Sequence, residues 1–253
     1  VAASIATSDY LHRIGYTGAR EPTAAALRDL HRAHLFTVPF ENLEISLGRK
    51  IVCDEPSFLR KIVDRRRGGF CYELNGAFAA LLRELGFEVT LLSARVPRES
   101  GGSTPEFDHL ALRVDLEEPW LADVGFGESF LDPLRLRAGI EQEQDGHKFR
   151  ITAQDGVLQV EQSGPRGDWK RQYAFTLIPR RLEEFEAMCH YHQTSPESHF
   201  TQKRLCSKAL PDGRITLSDH RLIITRNGQR EERLLSSDQE WRSALQEYFD
   251  IVL

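Results

Sequence analysis

Of the four cysteines in this 253-residue chain, Cys53, Cys71, Cys189 and Cys206, only Cys71 sits in a setting suited to nucleophilic chemistry. The segment Arg67-Gly68-Gly69-Phe70-Cys71-Tyr72-Glu73-Leu74-Asn75 puts two glycines ahead of an apolar stripe made by Leu74, Ala77, Phe78, Leu81, Leu82 and Leu85. This spacing predicts a helix from about Cys71 to Leu85, ended by Gly86, with the glycines turning the chain so that Cys71 falls in the first turn. Unpaired N–H groups and the helix dipole favour a negative thiolate there. A free thiol, with a pKa of about 8.5, is otherwise only slightly ionised at neutral pH. A buried structural cysteine is the plainer reading of any single Cys; the glycine pair before it and the helix after it favour the nucleophile.

Such a thiol needs a base held still by packing. His109 opens an alternating stretch, with Leu110, Leu112, Val114 and Leu116 on one face and His109, Ala111 and Arg113 on the other, which places it at a rigid strand start. Asp123 follows in Leu121-Ala122-Asp123-Val124-Gly125-Phe126-Gly127. A carboxylate at the end of a buried strand is costly unless paired, and a histidine on the adjacent strand would satisfy it through a ring N–H. A turn-capping aspartate is the alternative. Among the nine histidines, His31, His34 and His147 read as ordinary helix or loop residues. Gly125-Phe126-Gly127 lacks the third glycine and the helix of a dinucleotide site and predicts a tight turn beside Asp123. Phe126 and Phe200 suit either the lining of a substrate slot or the apolar core. No Cys/His spacing matches a zinc site, and Cys189-His190-Tyr191-His192 would splay apart on a helix end, so no metal is expected. In the basic run Arg65-Arg66-Arg67, only Arg67 is expected to turn inward.

Three kinds of element must carry these groups. The first ninety residues read as helical, with starts at Pro22 and Pro56. The period then changes to two, predicting strands at Val89–Val96, His109–Leu116, Trp120–Val124, Phe149–Thr152, Val157–Gln162 and Tyr173–Leu177, which form a small sheet or barrel. The last third mixes a helix over Arg181–His190, a turn over residues 194–198, a hairpin about Asn227-Gly228 and a terminal helix ending near Tyr248, with Ser237 and Glu240 as a capping box.

Composition narrows the class. Hydrophobic residues are 40% and charged residues 28%, the balance of a globular protein. The net charge of −5, with acids and bases interleaved, argues against nucleic acid or an anionic membrane as partner. No apolar run is long enough for a bilayer. The first residues, VAASIATSDYLHRIGY, lack a signal-peptide pattern. Four scattered cysteines in a chain this long predict a reducing compartment, the cytoplasm, rather than a disulfide framework.

The segments RGGFCYELN, DHLAL and LADVGFG resemble the three active-site motifs of the arylamine N-acetyltransferases, as do Val38–Leu43, Tyr10–Ile14 and Phe185–Phe200 with its Thr194-Ser195-Pro196 turn. The resemblance covers most of the chain, in order. It implies an α+β fold with an N-terminal helical bundle (1–88), a central β-barrel (89–180) and a C-terminal α/β lid (181–253), around a cysteine-protease-like Cys-His-Asp core. It implies that Cys71 becomes an acyl thioester, that His109 is its base and Asp123 the orienting carboxylate, and that Glu41 and Arg67 form a buried pair bracing the site. The donor implied is acetyl-coenzyme A, a co-substrate rather than a tightly bound cofactor, and the acceptor an arylamine, arylhydrazine or N-hydroxyarylamine. The implied reaction is ping-pong acyl transfer by a monomer or homodimer. Three other readings compete: a transglutaminase-like or thiol-hydrolase enzyme with the same three residues, an amide synthase closing a macrolactam on a carrier-bound chain, and a binding module keeping a decayed site. From about Phe185 onward the chain is expected either to cover the thioester against water or simply to complete the core.

Overall fold

Two short helices open the chain in the computed structural model, which describes residues 6–164 and 167–253; the first five residues of the segment without a signal pattern lie outside them. They are α1 (Thr7–Arg13) and α2 (Ala24–Thr37). The start expected at Pro22 falls two residues later, because the hydroxyl of Thr23 accepts the Ala26 N–H at 3.2 Å and caps α2. A two-residue strand β1 (Phe40–Glu41) and a single turn α3 (Leu43–Ser46) follow. Helix α4 (Glu55–Leu59) is capped by Asp54, carries Pro56 in its first turn, and widens into a π-helical turn at Arg60–Asp64. Helix α5 (Cys71–Glu84) is buried continuously from Cys71 through Leu82. It is therefore a central helix rather than the one-sided helix its apolar stripe implies, and its polar residues Glu73 and Asn75 are inside as well.

The strands β2 (Glu88–Arg95), β3 (His109–Asp115), β4 (Pro119–Ala122), β5 (Leu134–Arg135), β6 (Glu141–Gln144), β7 (His147–Gln154), β8 (Val157–Ser163) and β9 (Trp169–Phe175) form one antiparallel sheet in the order β5-β4-β3-β2-β9-β8-β7-β6. A parallel bridge from Ala138 to Ile151 brings the chain after β5 against β7, so the sheet is nearly closed. Its inner face packs Leu92, Ala111, Leu121, Phe130, Phe149, Val160 and Tyr173 together. The opposite face of β2 and β3, with Leu91, Leu110, Leu112 and Val114, packs on α5. The alternation along β3 thus separates two cores, with His109 on the barrel side.

After a 3₁₀ turn at Leu182–Phe185 come α6 (Glu186–Thr194), α7 (His199–Gln202), β10 (Leu205–Leu210), β11 (Gly213–Ser218), β12 (Arg221–Arg226), β13 (Gln229–Leu234) and α8 (Asp238–Phe249). Asn227 and Gly228 both take positive φ, 49° and 76°, and join β12 to β13 as a two-residue hairpin. β10 and β11 have no counterpart in the strand pattern of the sequence. The second sheet runs β1-β10-β11-β12-β13, so its outer strand comes from the N-terminal part, with Phe40 opposite Ser207 and Glu41 opposite Cys206. A separate core of Ile215, Leu217, Leu222, Trp241, Leu245 and Phe249, joined by Leu43, fills the space under α8. Only half of the expected capping box forms: Ser237 Oγ accepts the Glu240 N–H at 3.2 Å, but the Glu240 carboxylate takes the N–H and hydroxyl of Ser236 instead. No helix among the described residues is long and apolar enough to cross a membrane.

Candidate active site

Cys71 is the first residue of α5, and the glycines before it act by close approach rather than by a left-handed turn. A Cβ on Gly68 would sit 1.9 Å from the Pro39 carbonyl oxygen, so only glycine lets this segment lie against β1. The Cys71 side chain is buried, at 4% exposure, and burial pushes its thiol above the ordinary value. The helix start is therefore not sufficient to activate the thiol; the His109 ring lowers its pKa, helped by the Leu110 backbone. His109 Nε2 lies 2.7 Å from Asp123 Oδ2, which leaves Nδ1 as the nitrogen available for the thiol proton. Burial works against a charged ring, but Asp123 overcomes it and raises His109 to about 10. Burial likewise opposes the charge on Asp123, yet His109, the Asn75 amide and the Gly125 N–H hold its carboxyl below the usual range. The three residues singled out in the sequence thus meet in one buried place, His109 from the start of β3, Asp123 just after β4 and Cys71 from the start of α5.

The bend carrying Asp123 is held by residues to which sequence reasoning assigned no role. Asn75 Nδ2 donates to Leu110 O at 2.6 Å and to Asp123 Oδ1 at 2.8 Å, while Asn75 Oδ1 accepts the Val124 N–H at 2.9 Å. Asn75 stands four residues after Cys71 and so shares its helix face, a signal present in the sequence. A Cβ on Gly125 would meet Asn75 Nδ2 at 2.7 Å and Cys71 Cα at 2.8 Å, so the bend packs directly on the first turn of α5. His31, read from sequence as an ordinary helix residue, is fully buried and accepts the Asp123 N–H at 3.1 Å. His34 is also buried, which holds its ring well below the usual histidine range.

Beneath Cys71 runs a chain of buried charges. Arg67 donates to Glu41 at 2.8 Å and to Glu44 at 2.9 Å, while Arg65 and Arg66 stay exposed. Lys61, on the π-helical turn, donates to both Glu73 oxygens at 2.8 and 3.0 Å and lies 3.6 Å from Glu41. Glu73 Oε2 accepts the N–H of Phe70, the residue before Cys71. Burial favours neutral Glu41, but Lys61 and Arg67 together keep it ionised below the usual range; for Glu73 burial prevails and pushes it up to about 7. The expected Glu41–Arg67 pair is thus one link in a five-residue network. Lys61, Glu44 and Glu73 meet only through tertiary folding, and no spacing in the sequence signals their meeting.

Phe126 packs edge-on against His109, centroids 5.2 Å apart, and both rings touch Tyr173. Phe200 sits instead against Phe40, Phe70 and His192. A narrow cleft is lined by Asp123, Phe126, Gly127, Ser129 and Arg214, whereas a larger hollow of about 460 Å³ lies at α8 and holds none of these residues. The C-terminal third packs on the neighbours of Cys71 and His109: Phe185 is fully buried on Tyr72 and Phe107, and His192 Nε2 approaches Asp108 at 3.3 Å. In α6, Cys189 and His192 point inward and His190 outward. Among the described residues no group of three or more His, Cys, Asp or Glu could hold a metal.

A family profile described as N-acetyltransferase matches residues 23–253. The arylamine N-acetyltransferase of Escherichia coli K12 is 36% identical over 96% of this chain and 87% of its own. An arylamine N-acetyltransferase / N-hydroxyarylamine O-acetyltransferase of Salmonella typhimurium is 38% identical over 84% of this chain and 76% of its own. The structure of the Mycobacterium marinum arylamine N-acetyltransferase in complex with CoA superposes with a TM-score of 0.90 at 32% identity, covering 97% of this chain and 93% of that one.

Proposed function

The chain belongs to the arylamine N-acetyltransferase family and is an acetyltransferase, and from that premise we propose how its own residues carry the acetyl group. Asp123 favours the charged form of the His109 ring, so the one proton shared by the ring and Cys71 rests on Nδ1, and the Cys71 thiolate attacks the thioester carbonyl of acetyl-coenzyme A. The tetrahedral intermediate collapses, the C–S bond to coenzyme A breaks, and the departing thiolate takes the proton back from His109. The amine of an arylamine or arylhydrazine, or the oxygen of an N-hydroxyarylamine, then attacks acetyl-Cys71, gives its proton to His109, and frees the Cys71 sulfur. Asp123 stays ionised throughout and keeps the ring in the tautomer whose Nδ1 faces the sulfur.

The observation that carries this reading is the buried 2.7 Å contact between His109 Nε2 and Asp123 Oδ2, beside a cysteine at the start of α5. Supporting it, the ring packs between Phe126 and Tyr173, and Phe200 stands near Cys71 on Phe70, so aromatic surface is present for an aromatic acceptor. We assign Glu41 and Arg67 to bracing the site. We divide the chain into a helical part (1–88), a barrel (89–180) and a covering part (181–253); the run of the eight-stranded sheet from β2 to β9 supports this reading, although β1 pairs across the division with β10. Four free cysteines suit a cytoplasmic setting. The test is intact mass after mixing with acetyl-coenzyme A. One added acetyl group, mapped to Cys71 and discharged by an arylamine, is the expected result. Coenzyme A release only when both substrates are present, with no acetyl-protein, would refute it.

A further inference from the structure

We propose that His31 is a positioning residue of the acyl-transfer site: its ring pins both ends of the 123–131 segment and so fixes the backbone from which Asp123 reaches His109. The proposal rests on Asp123 being the carboxylate that orients His109. His31 lies on α2, far from Cys71 in sequence, and is fully buried. Its Nδ1 is 2.7 Å from Leu131 O, and its Nε2 is 3.1 Å from the Asp123 N–H.

These two partners leave the ring one protonation state. A carbonyl oxygen only accepts, so Nδ1 carries the hydrogen; a backbone amide only donates, so Nε2 is bare. The imidazole is neutral and both its nitrogens are used, and burial, which lowers its pKa, keeps it so. Phe130 stacks on the ring at 5.9 Å and 13°, and Phe78 meets it edge-on at 6.0 Å. Phe78 lies seven residues beyond Cys71 on α5, two turns along the same face. His31 therefore ties α2 to the nucleophile's helix and to the bend that carries Asp123, Gly125 and Phe126.

The Asp123 carboxylate is aimed by Asn75, Gly125 and His109, but its own N–H has His31 as its partner. Loss of the ring nitrogen leaves that buried donor unpaired and frees the Leu131 carbonyl at the other end. The segment then has a reason to shift, and a displacement of about 1 Å can cost about a hundredfold in rate.

The variants His31→Leu, His31→Gln and His31→Asn test this. Leucine removes both bonds; glutamine can reach the Asp123 N–H with its amide oxygen, and asparagine can reach the Leu131 carbonyl with its amide nitrogen. Two measurements are read on each folded variant: single-turnover acetylation of Cys71 by acetyl-coenzyme A, and the pH profile of Cys71 alkylation by iodoacetamide. His31→Leu should slow acetylation about ten- to hundredfold and move the alkylation profile to higher pH, and His31→Gln should recover most of both. A folded His31→Leu protein with wild-type rate and profile would overturn the proposal. If leucine prevents folding, His31→Gln must still outpace His31→Asn, and equal or reversed rates overturn it. The alkylation profile needs no acetyl donor. A wild-type protein that fails to acetylate therefore counts against the acyl-transfer reading, and an unmoved profile counts against His31.

Discussion

Asp123→Asn keeps the shape of a side chain and removes its charge, and the structure allows the consequence to be sized. Asp123 Oδ2 is 2.7 Å from His109 Nε2 in a buried site. With the charges spread over carboxylate and ring they act across ~4 Å, and at an effective dielectric of ~20 this is worth about 4 kcal/mol. That corresponds to roughly a thousandfold in the population of the charged ring. Without it, burial dominates and His109 falls from about 10 toward and below its ordinary value. The tautomer changes too. The new amide oxygen keeps the Asn75 and Gly125 donors, so its NH₂ faces His109, Nε2 must accept, and Nδ1 then carries a hydrogen toward the sulfur. A ring in that state cannot take the Cys71 proton, and the thiol keeps the high pKa that burial imposes. Single-turnover acetylation of Cys71, followed by intact mass from pH 6 to 10, should slow about a thousandfold or more at pH 7. Stability gives an independent reading. A histidine raised from 6.5 to about 10 contributes stability that is fully present below 6.5 and lost as pH rises through 10, so urea titrations should show that alkaline loss in the wild type and not in the variant. A folded Asp123→Asn protein that acetylates within tenfold of wild type would refute the argument.

Two further outcomes follow from neighbouring contacts. Lys61→Met leaves the buried Glu41 and Glu73 carboxylates with one cation fewer and should lower stability by about 3–5 kcal/mol in urea denaturation; adding Glu73→Gln should restore part of the loss, and strict additivity of the two changes would contradict the network. Gly125→Ala places a methyl group 2.7 Å from Asn75 Nδ2 and 2.8 Å from Cys71 Cα, so it should cost about 1–3 kcal/mol and slow Cys71 acetylation. Unchanged acetylation would mean that the bend does not position the site.

The parts of this fold legible in sequence are those that local chemistry determines. The stripe from Leu74 to Leu85 marks α5, the alternation from His109 to Val114 marks β3, and Asn227-Gly228 marks a hairpin because both residues must take positive φ. Errors fall where a non-local partner decides. β1, only two residues long, exists because β10 runs beside it, and β10 and β11 are too mixed in polarity to stand out. The capping box is a local exception: Ser237 and Glu240 carry its spacing, yet Glu240 has a better donor pair in the adjacent Ser236.

The candidate site divides in the same way. Cys71, His109 and Asp123 could be chosen from sequence because each stands beside a local signal: a helix start, a strand start and a strand end. Asn75 was within reach of the same reasoning, sharing the Cys71 face of α5. His31, Lys61, Glu44 and Tyr173 were not, since nothing in their neighbours distinguishes them from ordinary helix, surface or strand residues. Their roles come from what folding packs around them. Burial raises the Cys71 thiol, and the His109 ring and the Leu110 backbone work against that. Burial also makes Lys61 a necessity for Glu41 and Glu73, and turns His31 into a neutral strut for Asp123. A sequence carries the residue types and their spacing, but desolvation and Coulomb energy depend on separations across the fold, which exist only once distant segments have met.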